Sequence, residues 1–428
     1  MLNRSDMNKV YDIIDAYSAK IDLSVGIPLT EYAQRHEKVW AELKKRDIDL
    51  GFFFWYREMP GDGMYMTGYN PTLERASAVI TPGKPPMLLV GPESGILSRE
   101  VGLNLETHFT TEFSIPDEFY EGLTCDSLPE ITREYVGHPI HKIAYMSAYD
   151  LIPAKFIDVL RNDICAGVEL VDASDILEEL RYEKSENEFK CMAQADLIAC
   201  AAVRAMLAVA RPGMREAEIA GVGDLVVKAL GGCGYGMETI VAAGERCRSV
   251  IGPATNRVIH EGEIVQVGIS PSYEGYKGVC RRAFIMGERS ELQKRYFEVM
   301  NEGFRIATEE LKNVVENDLP INRVDLAPRN YFATQEIEGY NMKACHMYST
   351  CHGTGLTECL EKQVIHPEIP VHYGTNVGIM LDLAQYGHPN PAISGGCVED
   401  AYFKKGNELI HLTDLPADVQ HLVGKGLD

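Results

Sequence analysis

The chain reads as an α/β protein in two parts: a small α/β domain over residues 1-175, then a larger domain of α+β character over 176-428. Three observations carry this reading. Its 428 residues exceed what one ordinary core organises, so two domains of roughly 100 to 250 residues are expected. The first part alternates short β-rich and helical runs, whereas the second is built from long helical stretches and late strands. Between them the composition shifts, where ILEELRYEKSENEFKCMAQADLIACAAVRAMLAVA becomes rich in Ala, Leu, Glu and Lys.

In chain order, TEYAQRHEKVWAELKKRDI places Tyr32, Val39, Trp40 and Leu43 at helical spacing, with Thr30 as the expected N-cap. LGFFFWY, MYMTGY, RASAVITPG and PPMLLVG follow as β-rich runs, and TPGKPP is a tight turn between two strands. KIAYMS, the helical DLIPAKFIDVLRND and VELVDAS continue the alternation to about Asp172. Beyond it, Ser185 caps a long helix that Arg211, Pro212 and Gly213 stop. MREAEIAGVGDLVVKAL is a second amphipathic helix. EIVQVGIS and YKGVCRRAFIMG, joined by the turn-forming PSYEG, form a hairpin. A further long helix, ELQKRYFEVMNEGFRIATEELKNVV, precedes the strand NVGIMLDLAQYG and the late pair CVEDAYFKKG and NELIHLT.

The charge balance, 41 basic against 63 acidic residues for a net −22, repels phosphate backbones and anionic headgroups. Nucleic acid and membrane are therefore not expected partners. The N-terminus lacks the basic start and apolar core of a signal peptide, and no run of about 18 apolar residues is evident. Eleven cysteines lie scattered without a C-x-x-C pair, which points to reduced thiols. A cytoplasmic protein is expected.

The order of RYEKSENEFKCMAQAD, RPGMREAEIA, PATNRVIHEGEIVQVGIS, CHGTGL and CVEDAYFKKGNELIHLT resembles the C-terminal pita-bread domain of the creatinase, prolidase and aminopeptidase P family. The likeness runs from about Leu177 to Thr413, and the preceding α/β run fits the family's N-terminal domain. Metallopeptidases of this family hold two metal ions through two Asp, one His and two Glu, because such ions favour anionic oxygen with one imidazole. By resemblance, His352 matches the His, Asp382 the first Glu and Glu399 the last Glu. The two Asp positions fall on Gly268 and Val279, which cannot ligate, with Arg281 and Arg282 alongside. The expectation is a chain without a cofactor; a single divalent ion on His352, Asp382 and Glu399 is left open.

The metal-independent, creatinase-like branch is then closest in character. It implies a homodimer in which Arg75 of YMTGYNPTLERASAV reaches across to a substrate carboxylate, a task suited to a planar guanidinium, with Lys362 as a second cation. The branch's catalytic His falls on Ile251 and its clamping Glu on Arg281, so creatine itself is a poor substrate; the family's second His is Cys359. The function expected is a metal-independent hydrolase acting on a C–N bond of a small carboxylate-bearing nitrogen compound. His352 would be the general acid or base, with Asp382 and Glu399 orienting it. Arg281, Arg282 and Tyr348 would bind substrate or an oxyanion. Two alternatives stand beside this: a metal-dependent Xaa-Pro peptidase with an altered metal site, and a non-catalytic small-molecule binding protein on the same fold.

Plainer roles compete at each position. An acid inside an apolar strand must be paired, so Asp382 and Glu399 could simply bridge to Arg281 or Arg282. Cys280, Cys351 and Cys397 could be inert buried thiols rather than an activated nucleophile, and His346 and Tyr348 could merely pack.

Overall fold

The computed structural model describes residues 2–115, 118, 120–164, 167–359, 361–362 and 366–427. They divide into two compact units, Ile27–Tyr182 and a larger one of Met1–Gly26 with Glu183–Asp428. The expected boundary after residue 175 thus moves to Tyr182, and the first residues leave the small domain. The reason is the amphipathic helix Arg4–Ser18, started by an Asn3/Asp6 capping box. It buries Val10, Ile13 and Tyr17 along one face, and Asp6 meets Arg211 of the larger unit at 2.8 Å.

In the smaller unit, β1 (Leu50–Trp55), β2 (Ala76–Ile80), β3 (Met87–Val90), β4 (Thr107–Phe109), β5 (Lys142–Tyr145) and β6 (Glu169–Asp172) form one sheet in the order β4-β3-β2-β1-β5-β6. β1 is buried at every position, as an unbroken apolar run in a central strand should be. Two expectations fail here. MYMTGY is not β-rich: Gly61–Thr67 is a helix, ended by Gly68 at φ 68°. Thr30 is not a cap, because the helix Leu29–Lys45 already begins after Pro28.

The larger unit contains β7 (Gly234–Ala243), β8 (Ile264–Tyr273), β9 (Tyr276–Lys277), β10 (Cys280–Ile285), β11 (Glu336–Ile337), β12 (Tyr340–Asn341), β13 (Cys351–Thr354), β14 (Asn376–Tyr386), β15 (Gly395–Lys405) and β16 (Glu408–His411). Its main sheet runs β13-β14-β15-β10-β8-β7, with β16 on β15 and β9 on β8, and every pairing is antiparallel. β11 and β12 pair separately.

The helix Glu186–Val209 starts at the expected Ser185, in a capping box with Glu188. By length and composition alone it could cross a membrane, but 78% of its most apolar window is buried inside the protein. It is a core helix. Its backbone presses so closely on the sheet that any side chain at Gly278 would strike Ala195, and Asp196 accepts the Val279 N–H at 2.9 Å. The helix Glu291–Asn317 buries Tyr296, Phe297, Met300, Phe304, Leu311 and Val314 along one stripe. Each such large apolar side chain contributes about 1.5–3 kcal/mol.

Candidate functional site

Strand register assembles a row of side chains across the larger sheet. Gly268 on β8 pairs with Arg281 on β10, Arg281 with Glu399 on β15, and Glu399 with Asp382 on β14. Directly paired residues share a face, so these four positions project to one side. His352 on β13 joins them one strand further on, pairing with Met380. Its Nε2 lies 3.6 Å from Glu399 Oε1 and 3.9 Å from Glu358 Oε1.

Arg281 is almost wholly buried, at 3% exposure. Its Nη1 lies 3.3 Å from Glu399 Oε2 and 3.5 Å from Asp382 Oδ2, while its Nη2 donates to Val250 O at 2.6 Å and to the Tyr386 hydroxyl at 2.8 Å. The Cys397 thiol donates to Asp382 Oδ1 at 2.8 Å. Burial raises the pKa of Asp382, and the Glu399 charge adds to this while Arg281 opposes it. For His352, burial works against the charged form, but Glu399 first, then Glu358, lift it to about 9. The shift favours the protonated imidazole when no metal ion is bound. The two acids already call for a cation here.

Among the described residues, the groups present fit one metal ion and not two. Ligand atoms of His352, Asp382 and Glu399 all lie within 4.8 Å of one another. Glu399 Oε1 is buried without a hydrogen-bond partner, although it faces His352 Nε2. His352 Nδ1 sits 3.1 Å from Gly353 O, and donating there leaves the Nε2 lone pair for a ligand. The outer oxygens, Asp382 Oδ2 and Glu399 Oε2, turn instead to Arg281. One imidazole with two carboxylates suits a divalent ion of borderline character.

The other expected site residues fare differently. Arg282 points to the opposite face, where its Nη2 meets Asp400 at 2.6 Å and its remaining nitrogens donate to carbonyls; it is not brought to the group. Tyr348 stacks on Tyr386 beside the row, with its hydroxyl buried and unpartnered and its pKa pushed up by burial. Lys362 places its backbone carbonyl against Gly353. Arg75 belongs to the smaller unit, where it is exposed at a cleft of about 580 Å³ that Arg57 and Tyr56 also line. Ile251 and Cys359 are exposed. Cys351 and Cys397 are fully buried, which pushes both thiols up and argues against a thiolate nucleophile, and Cys280 turns to Cys200 in the core. His346 is spent on Ala384 O and Thr350 Oγ1, each at 3.0 Å.

Two residues escaped the sequence reading. Tyr386 anchors Arg281 and donates to Gln266 Oε1 at 2.8 Å; strand alternation from Asp382 would have put it on the same face. Glu358 reaches His352 from a loop, whose path no periodicity reveals.

Residues 190–381 match the model of metallopeptidase family M24. The Xaa-Pro dipeptidase of Pyrococcus horikoshii is 29% identical over 241 residues, covering 53% of this chain and 66% of the relative. An uncharacterized peptidase of Bacillus subtilis is 26% identical over 193 residues, covering 45% and 52%. These sequence matches thus span about half to two thirds of the relatives' length. Among solved structures, the prolidase from Pyrococcus horikoshii OT3 superposes with a TM-score of 0.72 at 21% identity, covering 90% of this chain and 99% of its own. The X-Pro aminopeptidase from Thermotoga maritima gives 0.73 at 18%, covering 90% and 99%. The expectation of no cofactor does not stand: the match is to a metallopeptidase family, and three ligand-type groups converge in the larger unit. The chain carries the pita-bread fold of the M24 metallopeptidases.

Proposed function

We propose that this chain hydrolyses the C–N bond of a small Xaa-Pro-type peptide, using one divalent ion held by His352, Asp382 and Glu399. The observation that carries the reading is Glu399 Oε1, buried without a hydrogen-bond partner and 3.6 Å from His352 Nε2. Peptidase activity among the relatives supports this reading over the creatinase-like one. A bound divalent ion would polarise the scissile carbonyl and make water a better nucleophile.

The chain's own residues supply the setting. The Cys397 thiol and the Arg281 guanidinium fix the orientation of Asp382, as outer partners of a ligand do. Flanking the charged row, Ala384, Tyr386 and Cys397 pack with Val250 and Tyr348 on one side, and Val279, Met380 and Ala401 with Met237 and Leu412 on the other. Such walls exclude water, strengthen electrostatic interactions and offer apolar surface to a saturated ring. An Xaa-Pro dipeptide is itself a small carboxylate-bearing nitrogen compound. Carboxylate capture by Arg75, a homodimer and a cytoplasmic location belong to the same proposal.

The test is metal analysis of protein purified without chelator, alongside turnover of a panel of Xaa-Pro dipeptides. Close to one ion per chain is expected, with turnover falling at least about a hundredfold on chelation and in His352→Ala. A chain that takes up no ion and cleaves none of the panel would overturn the reading.

A further inference from the structure

We infer that Arg281 is a built-in competitor of the metal ion: a tethered cation that holds part of the Asp382 and Glu399 carboxylate pair, restricts the group to one ion and sets how tightly that ion binds. The inference rests on the single-ion reading above and deepens it.

The placement of Arg281 is the first support. It stands between Gly268 and Glu399 in the cross-strand row, and its methylenes fill the space that any side chain at position 268 would need. Gly268 is thus the reason the arginine can lie across β8. An acid at that position would collide with it.

The bonding pattern is the second. One end of the guanidinium is fixed, because Nη2 donates to Val250 O at 2.6 Å and to the Tyr386 hydroxyl at 2.8 Å. The other end is shared, since Nη1 lies 3.3 Å from Glu399 and 3.5 Å from Asp382. Charge-assisted N–H to carboxylate bonds ordinarily close to about 2.7–2.9 Å. The shared end therefore answers both acids without closing on either. The second oxygen of Glu399 has no hydrogen-bond partner and lies 3.6 Å from His352 Nε2. Glu399 thus meets the protein cation with one oxygen and faces His352 with the other, while Asp382 is held by Arg281 on one oxygen and by the neutral Cys397 thiol on the other.

Charge accounting is the third. With His352 neutral, as a ligand must be, two carboxylates and one guanidinium leave a single formal negative charge. A dication on His352, Asp382 and Glu399 turns this to one positive charge, whereas a second dication would add two more in a buried site. Like charges that close repel, so each ion binds against the arginine. Removing the guanidinium removes that opposition and leaves the two acids short of a partner.

The experiment is calorimetric titration of the chelator-stripped full chain with manganese chloride and, separately, zinc chloride, for wild type, Arg281→Met and Arg281→Lys. The neutral variant is expected to bind at least about tenfold more tightly, and the lysine variant close to wild type, since it keeps the charge. Thermal melting provides a second readout. Ion-free Arg281→Met should melt below wild type, and manganese should raise its Tm by more than it raises that of wild type, an effect a purely structural arginine would not produce. Should the methionine variant not fold, Arg281→Gln removes the charge while keeping donors for Val250 O and Tyr386, and carries the same test. Equal affinity in the folded neutral variant and wild type overturns the inference while sparing the single-ion reading. Binding by the variant alone sustains the competitor role and overturns the single-ion reading, and binding by neither overturns both.

Discussion

Arg281 and Arg282 are neighbours in sequence, and each meets an acid of β15, yet the two faces of β10 treat them in opposite ways. On the core face every nitrogen of Arg282 is engaged: Nε with Pro416 O at 2.7 Å, Nη1 with Arg281 O and Glu399 O, and Nη2 with Leu415 O at 2.8 Å and the Asp400 carboxylate at 2.6 Å. Asp400 also meets His411 Nε2 at 2.8 Å. On the site face, Arg281 stretches between two acids, and one oxygen of Glu399 has no hydrogen-bond partner. Burial is nearly the same, at 0% and 3% exposure, so solvent access does not separate them. Closeness of contact does: Arg282 meets Asp400 at 2.6 Å, whereas Arg281 meets its two acids at 3.3 and 3.5 Å. A buried charge closed on its own acid is architecture, whereas two acids that share one guanidinium at longer range keep capacity for a further cation.

The largest test of this contrast is Asp400→Ala. It strands the Arg282 charge in the core and should cost about 3–5 kcal/mol in urea unfolding, with no recovery on adding metal. If it cost no more than Arg281→Met in ion-free protein, the two faces would not differ as described.

A smaller effect comes from Lys277, a third buried cation. Its Nζ donates to Ser272 Oγ at 3.1 Å and Gly275 O at 3.0 Å, and Cys233, then Glu358 and Glu361, favour its charged form. Burial lowers its pKa from 10.5 to about 8 despite them. Between those values the unfolded chain binds the proton and the folded chain does not, so stability rises as pH climbs from about 8 to 10.5, by about 3 kcal/mol. Below pH 8 the cost of the buried charge is constant. Unfolding measured across this window should show the rise in wild type and its loss in Lys277→Met; an unchanged slope would place Lys277 among the fully answered charges.

The smallest expected effect is at Cys397, whose thiol holds Asp382. Cys397→Ala should lose about 1 kcal/mol, and Cys397→Ser should lose less because it keeps the donor. Equal losses in the two variants would show that packing, not the hydrogen bond, matters there.

Much of this was legible in the residues. Ser185 with Glu188 announces the core helix, and alternation in the runs around β8, β10, β14 and β15 gives the strands. His352, Asp382 and Glu399 are picked out by the segments they sit in. Alternation alone also requires Arg281 and Arg282 to face opposite ways, which the sequence reading did not use. The N-terminal helix was misplaced because an apolar stripe of Val10, Ile13 and Tyr17 says that something is covered, not which core covers it. The expectation of no cofactor failed for a similar reason: with Gly268 and Val279 unable to ligate, a single ion on His352, Asp382 and Glu399 was left open, and only the tertiary structure brings those three together.

What the sequence by itself determined is therefore the set of elements and the chemistry each strand carries on each face. Only the tertiary structure decided which of these charges answer one another. A period of two residues sorts side chains by face, but cross-strand register and the approach of loops such as that bearing Glu358 depend on pairings distant in the chain. Register aligned Gly268, Arg281, Glu399 and Asp382 in one row, and contacts of 3.3 and 3.5 Å left Arg281 shared while one of 2.6 Å closed Arg282 on Asp400.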